Sequence, residues 1–215
     1  MSRRLTGAKV IVFGKKPEAG RVKTRLFEVI SPMQAARLHT QLLEKTLKTA
    51  SEVPHAHVEV WGEGERREPF FMYLAQRYQA VFYRQKGVNL GERMRFTFQQ
   101  GLDVHRKVIL VGSDCPALSK ATFQSAIQSL DRVPAVFVPA TDGGYTLIGL
   151  RQVHPYLFWK IAWGTQRVMA QTRSRLQVLG WRWHELPKMW DLDRPEDLER
   201  LMSSGIQPVS GDWLD

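Results

Sequence analysis

The segment Val108–Pro116, with the sequence VILVGSDCP, constrains the fold of this chain more than any other stretch. Its first five residues form a continuous apolar run, which is typical of a strand buried on both faces, as in a parallel sheet. The residues from Gly112 onward cannot continue the strand and predict a turn. Ligands bind outside the carboxyl ends of strands in open α/β sheets, so Asp114 is a candidate functional residue. Asp is also common in turns for purely structural reasons, and this segment alone leaves both interpretations open.

Apolar runs alternate with helical patterns along the rest of the chain. Strands are predicted at 9–13, 58–61, 80–83, 108–112, 135–140, 145–150 and 181–186. Helices are predicted from Pro32 to about 51, at 69–78, at 89–102, after Ser119 to about 130, after Thr165 to about 179, and from Pro195. The residues 141–144, TDGG, predict a hairpin turn. The alternation predicts an α/β fold, with a mainly parallel sheet flanked by helices and at least one antiparallel strand.

The composition narrows the class of protein. A length of 215 residues predicts one domain. The net charge is +10, of which +8 lies in the first 50 residues, and such a basic excess favours anionic partners. The single cysteine, Cys115, excludes an internal disulfide and favours a reducing compartment. No apolar run has the length of a membrane span, and the basic start, residues 1–4, lacks the apolar segment of a signal peptide. We therefore expect a cytoplasmic protein.

A basic loop follows the first predicted strand. Its sequence, GKKPEAGRVKTR at residues 14–25, contains two glycines and five basic residues. A glycine-containing basic loop directly after a first strand is suited to hold phosphate groups. Lys23 and Arg25 are two residues apart, so on an extended loop they would point the same way.

Acidic residues are predicted at the ends of strands or in loops, at Asp114, Asp142, and Asp191 with Asp193. Carboxylates beside a phosphate site would repel the ligand unless a cation lies between them. Mg²⁺ typically takes one or two protein carboxylates together with substrate phosphates. The pattern therefore predicts a nucleoside diphosphate bridged by Mg²⁺ or Mn²⁺. The hairpin turn explains Asp142 without a function, and it remains a candidate because it follows a buried strand.

Six segments occur in an order that resembles a known family. They are VFGKKPEAGRVKTRL, NLGERM, GSDCPAL, DGGYTLIGL, WGT and DLDRPEDL. Together they resemble a bacterial family of small GT-A-fold nucleotide-diphospho-sugar transferases, some of which are linked to arsenosugar biosynthesis. The resemblance extends from about Lys9 to Gly205. More distantly, the chain is similar to phospholactate and molybdenum-cofactor guanylyltransferases.

The resemblance implies a Rossmann-like GT-A fold and assigns roles by position. Asp114 and Asp193 look like the metal ligands, although Arg194 stands where relatives usually carry a capping Thr, so Asp193 could instead serve the helix end. Nucleotide or phosphate contacts are expected from Lys15, Lys23, Arg25, Asn89 and Arg93. Asp114 and Asp142 are the catalytic candidates, and a sugar or acceptor pocket is expected at Gly143, Gly144, Tyr145 and Trp163.

Three functions compete. The first is a metal-dependent glycosyltransferase that uses a nucleotide-sugar and a small-molecule acceptor. The second is a nucleotidyltransferase that uses a nucleoside triphosphate and releases pyrophosphate, and the same residues would serve it. The third, a non-enzymatic nucleic-acid binder, ranks below both because the basic loop lacks the interleaved aromatic residues of a stacking platform.

Overall fold

A computed structural model describes residues 5–206, and the side chains from Gly7 onward. The basic start at residues 1–4 lies outside the described residues. The strands are β1 (Leu5–Gly14), β2 (His57–Gly62), β3 (Val81–Arg84), β4 (His105–Val111), β5 (Ala135–Pro139), β6 (Tyr145–Leu150) and β7 (Trp183–Glu185). The α-helices are α1 (Pro32–Ser51), α2 (Pro69–Arg77), α3 (Leu90–Val104), α4 (Lys120–Ser129), α5 (Val168–Val178) and α6 (Pro195–Ser203). Short 3-10 turns lie at Thr24–Leu26 and Pro155–Leu157.

The seven strands form one sheet in the order β3-β2-β1-β4-β6-β5-β7. The pairs β2–β3, β1–β2, β1–β4 and β5–β7 are parallel, whereas β6 is antiparallel to both β4 and β5. The expected α/β fold, mainly parallel with an antiparallel strand, is therefore confirmed. Because β6 runs in reverse, its first residues lie at the edge where the parallel strands end.

Helices cover both faces of the sheet because its central strands are apolar on both sides. One face of β1 contributes Val10 and Val12 to a core shared with α1, α2 and α4. The other face contributes Ile11 and Phe13 to a core shared with α3 and α5. A third apolar cluster packs α1 against α6 and contains the fully buried Leu26. These cores fix the loops at the carboxyl edge of the sheet relative to one another.

A buried ion pair lies beneath α3. The Lys9 ammonium on β1 is 2.5 Å from a carboxylate oxygen of Glu59 on β2, and both side chains are at most 10% exposed. The Trp61 indole donates to the other oxygen of Glu59 at 2.8 Å. Nearby, the His57 and His105 rings lie 4.8 Å apart, and His105 Nδ1 is 3.1 Å from the Gly7 carbonyl oxygen. Lys9, Glu59 and His105 form a closed, buried cluster, and His57 beside them is exposed.

The structure corrects several sequence-based expectations. β1 and β4 begin earlier than predicted, and β5 and β7 end earlier. Thr165 does not cap α5, which begins at Val168. Its hydroxyl instead donates to the Ala162 carbonyl at 2.7 Å and closes a local turn. Cys115 is buried and free, as expected. Among residues 5–206, no helix is long and apolar enough to cross a membrane.

Candidate active site

A cavity of about 490 Å³ opens at the carboxyl edge of the sheet. It lies between the basic loop after β1, the end of β4, the β5–β6 turn and the loop before α6. Ten of the residues predicted from the sequence line it: Lys15, Lys23, Arg25, Arg93, Asp114, Asp142, Gly144, Tyr145, Trp163 and Asp193. The topology therefore brings candidate residues from six separate segments to one place, as expected for ligand sites at strand ends.

Asn89 and Gly143 are not in the cavity wall, and the structure gives each a local role. The Asn89 side chain caps α3 by accepting from the Glu92 amide at 3.0 Å. Gly143 has a φ of +90°, and a Cβ at this position would lie 2.2 Å from the Gln166 carbonyl oxygen. Asn89 therefore begins a helix, and Gly143 allows the hairpin turn to approach the loop before α5.

The Lys23 ammonium ties three segments of the site together. It lies 2.6 Å from Asp114 Oδ1 and donates to the Leu192 carbonyl oxygen, and its side chain is only 4% exposed. The Leu192 amide in turn donates to the Asp114 carbonyl at 2.7 Å. Asp114 Oδ1 is enclosed, yet the side chain as a whole is 50% exposed, so the rest of the carboxylate faces the cavity. One oxygen of Asp114 is thus held by Lys23, and the rest of the carboxylate faces the cavity.

The second cation of the loop, Arg25, is placed differently. Its guanidinium contacts Asp193 Oδ2, and the two side chains are 61% and 45% exposed. The chain is not extended at these residues, because Lys23 has a left-handed backbone (φ 52°) and precedes the 3-10 turn Thr24–Leu26. The two side chains nevertheless line the same cavity and contact consecutive residues of the segment before α6.

Asp193 does not serve the helix end. The Arg194 and Asp193 amides donate to Asp197 Oδ2 at 2.8 and 2.9 Å. Asp197 therefore holds the chain that enters α6, whereas no side chain at position 194 accepts from the first amides of the helix as a Thr would. The Asp193 carboxylate is left to face Arg25 and the cavity.

The carboxylates of the site interact strongly with one another. Burial opposes ionisation of Asp114, but the charges of Lys23 and His39 outweigh it and hold its pKa below the usual range. Asp191, which the sequence analysis noted only beside Asp193, lines the same cavity. Burial, followed by repulsion from Asp114 and Asp142, raises the pKa of Asp191 to about 7. Such mutual repulsion is typical of carboxylates gathered at a functional site.

The wall near β2 and β3 is formed by a hydrogen-bonded set around Arg93. The Arg93 guanidinium is 2.7 Å from a carboxylate oxygen of Glu63 and 3.4 Å from the side-chain oxygen of Gln85. Gln85 also donates to the Trp61 carbonyl at 2.8 Å and to the Gly14 carbonyl at 3.3 Å. Arg93 is therefore held at one end of the cavity, away from the Lys23–Asp114 pair.

Another wall is aromatic. The Tyr145 and Trp163 rings meet edge to face with centroids 6.5 Å apart. A Cβ at Gly91 would lie 2.7 Å from the Trp163 indole nitrogen, so only glycine lets the indole pack on the start of α3. Burial alone raises the pKa of the Tyr145 hydroxyl. Next to this wall, Asp142 Oδ1 accepts from the Gly144 amide at 2.8 Å. The wall thus combines flat apolar surface with a carboxylate whose orientation is fixed.

The donor set fits a hard divalent cation that binds together with phosphates. Asp114 and Asp193 supply the carboxylate oxygens that Mg²⁺ and Mn²⁺ prefer, and both line one cavity rather than opposite faces of the sheet. Over residues 5–206, no three His, Cys, Asp or Glu side chains converge to hold a metal by themselves. Mg²⁺ usually takes only one or two protein carboxylates, and phosphates and water complete its coordination.

Besides Asp191, which was given no role of its own, the wall holds four charged, imidazole or amide side chains that were not among the predicted site residues: Arg21, His39, Glu63 and Gln85. His39 lies within α1, and its Nε2 is 3.1 Å from the Lys15 carbonyl oxygen. Burial, as the largest influence, lowers the pKa of its imidazole. No pattern within α1 distinguishes His39 from a core residue. Asp191 could have been found, because it shares the DLD segment with Asp193.

The chain is similar to known proteins in sequence and in fold. Residues 46–165 match a family described as "Uncharacterized protein conserved in bacteria (DUF2064)". The crystal structure of a "putative nucleotide-diphospho-sugar transferase" from Desulfovibrio desulfuricans G20 is 30% identical, with a TM-score of 0.85, over 95% of this chain and 90% of that chain. No curated protein matches the sequence.

More distant structures share only the fold. One is 4-diphosphocytidyl-2C-methyl-D-erythritol synthase from Anaerococcus prevotii DSM 20548, with 9% identity, a TM-score of 0.62, and coverage of 93% of this chain and 96% of that chain. Another is the manganese complex of Rv0371c from Mycobacterium tuberculosis H37Rv, with 15% identity, a TM-score of 0.52, and coverage of 92% and 98%.

Proposed function

The chain belongs to the DUF2064 family of uncharacterized bacterial proteins, which confirms the resemblance seen in its motifs, and on that premise we propose that it is a metal-dependent glycosyltransferase that uses a nucleotide-sugar donor. The observation that carries the proposal is the arrangement around one cavity. Basic side chains of the β1 loop line the cavity together with the carboxylates of Asp114, Asp191 and Asp193. Two of these carboxylates are in direct contact with loop cations. A diphosphate bridged by a divalent cation needs both charges at short range.

Asp114 and Asp193 would hold Mg²⁺ or Mn²⁺, with Asp191 beside them. When bound, the ion would neutralise the charge that develops on the departing diphosphate. Lys23 keeps Asp114 oriented toward the cavity, since the ammonium holds Oδ1 from behind. Lys15 and Arg25 line the cavity and would bind the phosphate oxygens.

The aromatic wall of the cavity would hold the sugar and the acceptor. Tyr145 and Trp163 offer apolar surface that suits the face of a sugar ring, and they would exclude water from the anomeric carbon. Asp142 is the carboxylate nearest in sequence to this wall. With one oxygen fixed by the Gly144 amide, its other oxygen would accept the proton of the attacking acceptor.

The alternative is a nucleotidyltransferase. In that reaction a phosphorylated acceptor attacks the α-phosphate of a nucleoside triphosphate. The observation that favours it is the number of cations facing the cavity, because Lys15, Arg21 and Arg25 would also suit a triphosphate. The two functions differ in the released product, which is a nucleoside diphosphate in the first and pyrophosphate in the second.

The test supplies Mn²⁺ with either a panel of nucleotide-sugars or a panel of nucleoside triphosphates and identifies the product. We expect slow hydrolysis of one nucleotide-sugar, which releases a nucleoside diphosphate. Asp114→Asn should abolish this release. Asp131→Asn is the matched control. Asp131 lies outside the cavity wall, and its carboxylate is 2.6 Å from the Lys107 ammonium. Pyrophosphate release from a triphosphate with a phosphorylated acceptor, while every nucleotide-sugar stays inert, would reject the glycosyltransferase in favour of the alternative.

A further inference from the structure

Each of the two loop cations nearest the carboxylates contacts a residue that the proposed function assigns to the metal. The Lys23 ammonium contacts the Asp114 carboxylate, and the Arg25 guanidinium contacts the Asp193 carboxylate. In the proposed function, Arg25 binds phosphate and Asp193 binds metal. The guanidinium charge beside Asp193 repels a metal ion there, and the carboxylate in turn offsets the attraction of Arg25 for phosphate while the pair persists.

The two pairs differ in how easily they open. The Lys23 side chain is 4% exposed and also donates to the Leu192 carbonyl, so it is fixed in place. Arg25 and Asp193 are both about half exposed, and ion pairs of that kind contribute little to stability. Water can solvate both partners when they separate. The Arg25–Asp193 pair is therefore exchangeable, whereas the Lys23–Asp114 pair is not.

The backbones on both sides of the exchangeable pair are anchored. Leu26, next to Arg25, is fully buried. The Asp193 amide is fixed by its 2.9 Å bond to Asp197 Oδ2. Only the two side chains need to move for the pair to open. A guanidinium binds carboxylates and phosphates through the same parallel N–H···O bonds, and a diphosphate offers more charge and more oxygens than one exposed carboxylate.

We propose that Arg25 is an exchangeable cation that keeps Asp193 from a metal ion until phosphate groups draw the guanidinium away. The proposal rests on the proposed function and deepens it. Phosphate binding frees Asp193 for the metal, and metal binding frees Arg25 for the phosphate. The two ligands therefore bind with positive coupling, and the coupling must be reciprocal. Arg25 acts on the metal through Asp193, so toward the metal it is a positioning residue.

The first experiment titrates Mn²⁺ into the protein without nucleotide and follows free Mn²⁺ by electron paramagnetic resonance. We expect Arg25→Gln to bind Mn²⁺ about tenfold more tightly than wild type, because Asp193 is released. Arg21→Gln is the matched control. Arg21 lines the same cavity on the same loop, but it pairs with Glu18 at 3.0 Å and touches no candidate metal ligand. Removing this charge should change the affinity by less than about threefold. The double variant with Arg25→Gln and Asp193→Asn should lose the gain.

The second experiment measures the reciprocal effect with inorganic pyrophosphate as the probe, in the presence of EDTA, by calorimetry. Asp193→Asn should bind pyrophosphate about fivefold more tightly, because Arg25 is then unpaired. The control is Asp142→Asn, which removes the same charge from the same cavity but leaves Arg25 paired. This experiment also keeps the proposal testable if the Arg25 variant fails to fold.

Four outcomes would overturn the proposal. Equal Mn²⁺ affinity of wild type and Arg25→Gln would reject it and leave the proposed function standing. A gain that survives in the double variant would show that Asp193 is not the released ligand. A pyrophosphate gain that is as large in Asp142→Asn as in Asp193→Asn would reduce the effect to net charge. If none of the proteins binds Mn²⁺ at all, the proposal and the metal dependence of the proposed function fail together.

Discussion

Two lysines of the β1 region form buried ion pairs, and only one of the pairs faces a cavity. Lys9 and Glu59 are both nearly inaccessible, and the Trp61 indole satisfies the remaining carboxylate oxygen. Lys23 is just as buried, but its partner Asp114 is half exposed to the cavity. A closed pair has no capacity left for a ligand. A half-open pair presents an oriented carboxylate whose second oxygen is free to bind one.

Burial of a charged side chain does not by itself mark a functional site, since Lys9 and Lys23 are both buried and only Lys23 lines the cavity. What distinguishes the two pairs is whether every polar atom is satisfied within the protein. The closed pair should therefore matter for stability and be silent in ligand binding, and the half-open pair should show the reverse. Three substitutions test this division, ordered by the size of their expected effect on the free energy of unfolding.

The largest effect is expected from Lys9→Met, which breaks the closed pair. It leaves the Glu59 carboxylate buried without its cation, and such a loss typically costs about 3–5 kcal/mol. Urea denaturation would measure the change. The double variant with Glu59→Leu should recover most of the stability, since a buried pair can be replaced by apolar groups. Mn²⁺ and nucleotide affinities of the folded variant should equal those of wild type, and a loss of either would break the division.

A smaller effect on stability is expected from Lys23→Met. Water can reach Asp114 once the ammonium is gone, so the cost should be about 1.5–3 kcal/mol, as for one hydrogen bond to a charged group. Turnover of the donor should fall by about a hundredfold, because Asp114 is no longer held in orientation. Lys16→Met is the control on the same loop, where the exposed Lys16 pairs with Glu18 and Glu68. Wild-type turnover in Lys23→Met would contradict the claim that the half-open pair matters for activity.

The smallest effect concerns the pH dependence of the closed cluster. Burial, with further contributions from Lys9 and His57, lowers the pKa of His105. The unfolded chain then binds more protons than the folded one below the ordinary histidine pKa of about 6.5, so stability is full above that pH and falls as the pH drops through the folded-state pKa. Each pH unit of this window is worth at most about 1.4 kcal/mol.

His105→Gln should therefore reduce the loss of stability between about pH 7 and pH 5, because glutamine can still donate to the Gly7 carbonyl but does not titrate. Thermal denaturation at a series of pH values would measure it, with the exposed His154 substituted in the same way as the control. An unchanged slope in His105→Gln would show that the closed cluster does not sense pH.

The fold could be predicted from the sequence because its signals are local. The β-branched runs, Pro32 at the first turn of α1 and the TDGG turn each act within a few residues. Asp114 could be predicted for a related reason: a buried strand that ends abruptly places the next polar residue at the ligand-binding edge. Thr165 shows the limit of such signals, because its hydroxyl closes a turn rather than capping α5, and the sequence pattern is the same for both.

The contacts of the site could not be predicted, since they depend on residues far apart in the chain. Nothing near Lys23 in the sequence indicates that its ammonium is buried against Asp114 and Leu192. No local pattern indicated the left-handed backbone of Lys23 either, which breaks the extended loop that the sequence suggested. Asp191 was missed in its role because repulsion from Asp114 and Asp142 exists only after the strands have assembled.

The bonds of Lys23 and Arg25 to the segment before α6 have a consequence for synthesis on the ribosome. They span 169 and 168 residues, respectively. A nascent chain can pair β1 with β2 and β4 early, but the cavity has no rear wall until Asp193 has left the exit tunnel. Growth at about 5–20 residues per second leaves several seconds in which the basic loop and Asp114 are present without their final partners. During that interval the loop is an exposed polycation, free to meet other polyanions of the cell before its own carboxylates arrive.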